Sequence, residues 1–336
     1  MKTKVLNVLL FFMIISLFVL SCGKKENSDN NKDKKTKITV VLDWTPNTNH
    51  TGLYVAKELG YFEEEGLEVT IIQPGNGTSD QLVASGKAQF GVSYQESVTL
   101  ARIEDIPIVS IAAVIQHNTS GFYSRADKGI KTPKDFENKK YGGWGSPIEK
   151  ATLKALMDKE NADVEKVKII TSGDTDFFAV SEKSVDFAWG FEAWTGMEAK
   201  VKNIPVNYIR LSDYNKNLDY YTPVIITNEK MIADNKEIVE KFMRATKKGY
   251  EYSSKNPLEA ANILMKNAPE LNKELVEKSQ EFLAKEYQSD ASYWGEQKKE
   301  VWENYTNWLY DNKLIDKKID VDKAFTNEFL TNENLK

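Results

Sequence analysis

Cysteine occurs once in 336 residues, at Cys22. No internal disulfide is possible, and no set of thiolates can hold a soft metal. Histidine occurs only twice, and a lone histidine is more often a structural hydrogen-bonder than a catalyst. The apolar run near the start, VLLFFMIISLFVL, has 13 residues, short of the roughly 20 that a membrane-spanning helix needs. Excess positive charge is also missing. With 45 Lys and Arg against 50 Asp and Glu, the net charge is −5, which argues against nucleic acid as a partner. No repeat of solenoid length is visible.

What the first residues do contain is a basic start, MKTK, then the apolar run, then VLSC. That order marks a secretory signal peptide over 1–21. The VLSC ending resembles the lipobox of bacterial lipoproteins. The resemblance implies that Cys22 becomes a lipidated, palmitate-bearing N-terminus on the outer face of the cell membrane. A single secreted cysteine without a disulfide partner fits that role. GKKENSDNNKDKKTK follows without one bulky apolar residue, so 22–36 is expected to be a flexible tether.

The folded body, about 300 residues from Lys37 onward, is long enough for two lobes. KITVVLDW, LEVTIIQP, FGVSY and IPIVSIAAVI read as strands. TGLYVAKELGYFEEEG, SDQLVASGKA and QESVTLARIE, lying between them, have helical spacing. The middle repeats the rhythm: KYGGWG, VKIITSG, VDFAWGF and IPVNYIRLS are strands, SPIEKATLKALMDKEN and DTDFFAVSEKS helices. Ser146, Pro147 and Glu149 form a capping-box start. YYTPVIITN reads as a crossing strand, and the chain beyond it is mostly helical, including SYWGEQKKEVWENYTNWLYDNK. Trp302, Tyr305 and Trp308 form a packing stripe there, and the closing tract is expected to wrap the surface. Alternating strands and helices predict an α/β fold of parallel sheets with helices on both faces. The first lobe is expected from 37–122 and 222–336, the second from 123–221. Two crossings make a hinge, and ligands favour the cleft between lobes.

In open α/β sheets a ligand lies beyond the C-terminal ends of the strands. The loops there read DWTPNTNHTG, QE, WGSPIE and FEAWTG. They offer Asp43, Glu96, Glu149 and Glu192 as acceptors, beside Trp44, Trp144, Trp189 and Trp194, and almost no Lys or Arg. The complement is a flat, neutral or cationic ligand with N–H donors, such as an amino-bearing aromatic heterocycle. Trp44, Trp144 and Trp194 suit a cleft. Trp189, inside its strand, suits core or cleft equally. Glu192 either receives ligand donors or starts a helix, Asp43 and Glu149 are also natural caps, and His50 either touches the ligand or holds its loop.

VLDWTPNTNHTGLYVAKELGYFEEEGLEV, FGVSYQESVTLAR, GGWGSPIE and VDFAWGFEAWTGMEA together resemble the thiamine-pyrimidine family of solute-binding proteins of bacterial ABC importers, over nearly the whole body. The resemblance implies a type II periplasmic-binding-protein fold, with two lobes, a hinge and a cleft. It also implies an aminopyrimidine held between aromatic side chains, with a permease and an ATPase as partners. Carried over to this chain, it adds Asn47 and His50 of WTPNTNH and Tyr221 at the second crossing to the tryptophans and Glu192. A monomer without metal or cofactor is expected. Flavin-binding relatives make riboflavin or a precursor the alternative ligand. The fold also hosts a pyrimidine synthase with a downstream cysteine-rich iron motif, but this chain has no cysteine after Cys22, so an enzyme is not expected.

Overall fold

The computed structural model describes residues 35–75, 77–173, 176–182 and 184–330. The expected signal peptide, Cys22 and the tether as far as residue 34 lie outside the described residues. Thr36 already belongs to the first strand.

Among the described residues ten strands follow in order: β1 (Thr36–Val41), β2 (Leu67–Ile72), β3 (Phe90–Ser93), β4 (Ile108–Ala113), β5 (Ser120–Arg125), β6 (Lys140–Gly143), β7 (Lys168–Thr171), β8 (Phe187–Phe191), β9 (Val206–Arg210) and β10 (Val224–Asn228). They form two five-stranded sheets, ordered β2-β1-β3-β10-β4 and β7-β6-β8-β5-β9. The helices that matter below are α1 (Thr51–Glu58), α2 (Ser79–Ala84), α3 (Gln95–Ile103), α4 (Pro147–Met157), α5 (Met197–Val201), α6 (Lys236–Lys255), α7 (Lys273–Glu286) and α8 (Lys299–Asp311).

The sheets are mixed, which corrects the expectation of parallel ones. β10 runs antiparallel to β3 and β4, and β5 antiparallel to β8 and β9. Each of these is the first strand the chain lays down after crossing between lobes. It enters at the hinge and runs outward, while its neighbours run toward the cleft. The crossings occupy 114–119 and 211–223. β5 pairs with β8 from Ser120 onward, so the lobe boundary expected at 122 falls inside that strand. The edge strand β2 alternates buried and exposed residues at its start, whereas β4 and β10 are buried along their whole length.

His117 and Asp219 tie the two crossings together. The Asp219 carboxylate meets His117 Nδ1 at 2.8 Å and accepts the Asn118 N–H at 2.8 Å. Asp290 takes the other ring nitrogen at 3.0 Å. With a carboxylate on both nitrogens, the Asp219 hydrogen bond first, the imidazole pKa rises to about 9.

The closing tract is core, not wrapping. Helix α8 buries Trp302 in the first lobe's packing and Tyr305, Trp308 and Leu309 in the second's, so one helix spans both. The helix expected from residue 292 starts only at Lys299, because Gly295 has φ +91° and Trp294 stacks on Tyr250 at 4.3 Å. Among the described residues no helix is long and apolar enough to cross a membrane.

Candidate functional site

β1 delivers Asp43 and Trp44 to the cleft edge of the first sheet. Trp44 is half-buried, and Asp43 is bound on both oxygens. Tyr94 donates to Oδ2 at 2.6 Å and His50 Nε2 meets Oδ1 at 2.5 Å. His50 Nδ1 accepts the Asn47 N–H at 3.1 Å, so the imidazole hydrogen sits on Nε2 and points at Asp43. Burial pushes the Asp43 carboxyl up, but His50 and the two hydrogen bonds outweigh it and hold the group below its ordinary value. Asn47 caps the turn before α1, accepting the Asn49 N–H at 2.9 Å and donating to the Thr45 carbonyl at 3.0 Å. His50 is wholly buried and Asn47 nearly so. Asn47 was expected at the ligand and His50 either there or as a support of its loop; both hold the loop that carries Trp44 and Asp43.

α3 starts directly after β3 and presents Glu96, whose Oε2 accepts the Tyr220 hydroxyl at 2.7 Å. α2 presents Asp80, which accepts from Ser93 Oγ at 2.6 Å. Burial raises Glu96 to about 7, with Glu149 and Asp80 adding repulsion. Burial likewise raises Asp80 to about 6, with Asp43 adding to it. Glu96 therefore feels a carboxylate of the second lobe across the cleft.

In that second lobe the Gly-rich turn after β6 folds around Glu149. The buried carboxylate accepts the Tyr141 hydroxyl at 2.8 Å and the N–H groups of Trp144, Gly145 and Ser146 at 3.1, 2.7 and 2.6 Å. Its lone pairs are fully occupied, which makes it the organiser of the turn. The turn holds Trp144 out, 38% exposed, edge-to-face with Trp189 at 5.3 Å and 68°. Trp189 in turn meets Phe122 at 5.5 Å. This pair of indoles is a wall on one face of the second sheet.

The FEAW segment does not join that wall as a unit. Residues 192–196 form a π-helical turn, an irregularity common at functional sites. Ala193 and Trp194 pack against the first lobe's core. Glu192 points to the other sheet face, where its charge reaches Tyr123, Tyr208 and Glu286. It lines a cavity of about 540 Å³ with Tyr123, Tyr208, Lys200 and Asn203. Trp189, Glu192 and Trp194 thus occupy three environments. Tyr221, chosen for the cleft, is instead buried in the first lobe, its hydroxyl accepting the Lys298 N–H at 2.9 Å. Its neighbour Tyr220 is the one that reaches Glu96. Sequence offered no sign of which tyrosine of this buried pair would reach Glu96, nor that Asp80 at the start of α2 would join the carboxylates.

The cleft-edge carboxylates Asp43, Asp80, Glu96 and Glu149 make no ion pair with Lys or Arg among the described residues, where Asp43 pairs with His50 alone. No group of three or more His, Cys, Asp and Glu able to hold a metal ion occurs there either. The arrangement suits N–H donors and a flat face.

Two lobes around a cleft, with sheets ordered β2-β1-β3-β10-β4 and β7-β6-β8-β5-β9, are the periplasmic-binding-protein fold. The alkanesulfonate-binding protein SsuA from Xanthomonas axonopodis pv. citri shares it with a TM-score of 0.68 at 11% identity, over 87% of this chain and 99% of that one. The chain belongs to the NMT1/THI5-like family, which matches residues 47–260. A formylaminopyrimidine-binding protein from Halalkalibacterium halodurans is 32% identical over 94% of this chain and 98% of its own. A 4-amino-5-hydroxymethyl-2-methylpyrimidine phosphate synthase from Legionella pneumophila is 24% identical over 88% of this chain and 93% of its own.

Proposed function

We propose that this chain is the extracytoplasmic solute-binding component of an ABC importer, capturing a thiamine-precursor aminopyrimidine for salvage. Formylaminopyrimidine and hydroxymethylpyrimidine are the two ligands of that description. The observation that carries the reading is the cleft chemistry: the Trp144–Trp189 wall on one lobe and the Glu96 carboxyl on the other. The similarity to a formylaminopyrimidine-binding protein over nearly the full length supports it. Trp44, Glu96, Trp144 and Trp189 contact the ligand; Asp43, Asn47, His50 and Tyr221 support them from behind. Trp194 sits where the π-helical turn meets the first lobe and acts as the lobes close, while Glu192 lines the separate cavity beside Tyr123 and Tyr208. Differential contact with the closed form is what drives closure, and the closed protein then docks on a permease with its ATPase. Lipidation of Cys22 tethers a monomer to the extracytoplasmic face of the cell membrane.

Flavin is the second reading, because the indole wall alone would accept its rings. The cleft carboxylates disfavour it, since the carbonyl oxygens of a flavin need donors and these side chains supply acceptors. A pyrimidine synthase with a cysteine-rich iron motif is disfavoured, because no cysteine follows Cys22 to supply that motif. The test is to purify the protein from its native host, denature it and weigh the released small molecule. An aminopyrimidine supports the reading; a flavin or a phosphorylated product overturns it.

A further inference from the structure

Four carboxylates line the cleft edge in a chain from one lobe to the other. Asp43, Asp80 and Glu96 belong to the first lobe and Glu149 to the second. Each senses the next: Asp80 the charge of Asp43, Glu96 those of Asp80 and Glu149. Three of the four are held by partners inside their own lobe. Asp43 has His50 and Tyr94, Asp80 has Ser93, and Glu149 has four donors. Glu96 differs. One oxygen takes the Tyr220 hydroxyl, and it faces the opposite lobe with neither lysine nor arginine against it among the described residues.

A second observation bears on the same carboxyl. Tyr305 of α8 is wholly buried, and its hydroxyl has no hydrogen-bond partner. Its ring lies 4.4 Å from that of Tyr220, and Glu96 is the charged group it senses. An orphaned hydroxyl in such a place costs stability, and Tyr305 reaches the carboxyl only through Tyr220, whose ring it packs against. The protein thus keeps two phenols beside a carboxyl that burial and like charges disfavour as an anion.

We propose that Glu96 selects the ligand as a cation: a weakly basic nitrogen heterocycle held with one ring nitrogen protonated, its N–H donated to the Glu96 carboxylate. This rests on the aminopyrimidine reading and narrows it to the basic ring edge. When a neutral base meets protonated Glu96, the O–H bond breaks and a ring N–H bond forms with no proton exchanged with solvent; when it meets ionised Glu96, the ring nitrogen takes one proton from solvent. When the protonated base meets protonated Glu96, one proton is released to solvent. In each case the product is an ion pair inside the cleft. The positive ring is then a counterion for Glu149 approaching from the other lobe, so closure follows neutralisation rather than contact area alone. Indole faces beside the site favour the same charge.

The groups facing Glu96 are Tyr220 from the second crossing, Tyr305 from α8, Asp80 from α2, and Glu149 with Tyr141 from the second lobe. None of them is a cation. Removing the Glu96 charge while keeping its shape is therefore a clean test.

The experiment is calorimetric titration of the wild-type protein and Glu96→Gln with formylaminopyrimidine and with its carbocyclic isostere, in which both ring nitrogens are C–H. Wild-type protein should prefer the pyrimidine by about 100-fold, in keeping with a charge-assisted hydrogen bond in a dry site. In Glu96→Gln that preference should fall to a few-fold. Wild-type binding from pH 5 to 8 should also show proton uptake or release, read from buffers of different ionisation enthalpy, that the variant lacks. Tyr220→Phe, which removes the hydroxyl donated to Glu96 and leaves the carboxyl in place, should reduce the preference by several-fold and guards against a misfolded Glu96→Gln. Pyrimidine binding with the same preference and proton linkage in Glu96→Gln overturns this inference while leaving the aminopyrimidine reading intact. If the wild-type protein binds neither compound, both fail.

Discussion

Glu149 occupies the space that a side chain on Gly143 would need: its Oε2 lies 1.8 Å from the position of a β-carbon built there. The glycine is what lets the carboxylate reach back under the turn and collect Tyr141 and three backbone N–H groups. Gly143→Ala should therefore expel Glu149 and loosen Trp144. Glu149→Ala should leave the Tyr141 hydroxyl buried without an acceptor and the three turn N–H groups without their common partner, at a cost of roughly 3 kcal/mol. Urea unfolding checks the stability, and near-ultraviolet circular dichroism the indole pair. Unchanged stability in both variants would contradict the assignment of Glu149 as the turn's organiser.

Tryptophans in this chain divide into those that hold the fold and those that hold the ligand. Trp302 is wholly buried and stacks on Phe325 at 5.5 Å and 5°. Trp302→Ala should lower stability by about 3–5 kcal/mol with little effect on affinity in the folded fraction. Trp144 projects from its turn, so Trp144→Ala should lower affinity at least tenfold and change stability by less than about 1 kcal/mol. Thermal melting and calorimetry on the two proteins should give opposite orders. The same order in both would mean that Trp144 is a packing residue.

Fold class was legible because strand and helix periodicity alternates along the chain and the loops at strand ends are distinct. What periodicity does not carry is direction, so the antiparallel β5 and β10 were unreadable: entry from the hinge sets their sense, and no local residue encodes it. Within the site, Glu96 and Trp144 could be picked out because each begins a loop or helix straight after a strand. Asp43, Asn47 and His50 were picked out too, but their mutual hydrogen bonding, which turns them into supports, depends on a three-dimensional loop. Tyr220 and Tyr221 show the limit most sharply. Adjacent and identical in type, they differ by one step of backbone alternation, and that step decides which one meets Glu96.

Raised carboxyl groups make the empty protein less stable as pH rises. Glu96 goes from an ordinary value of 4.5 to about 7, and Asp80 from 3.8 to about 6. Between those values the unfolded chain has lost protons that the folded one keeps, so stability falls from about pH 4 to about pH 7 and then levels. His117, raised to about 9, contributes stability that is complete below about 6.5 and lost as pH climbs to about 9. Asp43 works the other way, but its contribution is complete above its ordinary value near 3.8. Urea midpoints from pH 4.5 to 9.5 should decline in two stages. Glu96→Gln should flatten the first and His117→Gln the second. Parallel curves for the wild type and both variants would show that neither group is responsible.

His50 offers a check that needs no ligand. Because Nδ1 accepts the Asn47 N–H, the ring hydrogen has only Nε2 to occupy, and there it faces an Asp43 carboxylate already bound by Tyr94. Nitrogen-detected magnetic resonance at pH 7 should find His50 as the neutral tautomer protonated at Nε2, and its hydrogen should exchange slowly for so buried a group. His117, between two carboxylates, should carry hydrogens on both nitrogens in the same spectrum. Substituting Asp43→Asn keeps a hydrogen-bond acceptor but removes the charge, and should lower stability by about 1–2 kcal/mol while leaving the His50 tautomer as it was. A His50 hydrogen found on Nδ1 would mean that the loop carrying Trp44 is built differently, and the support role given to Asn47 and His50 would have to be withdrawn.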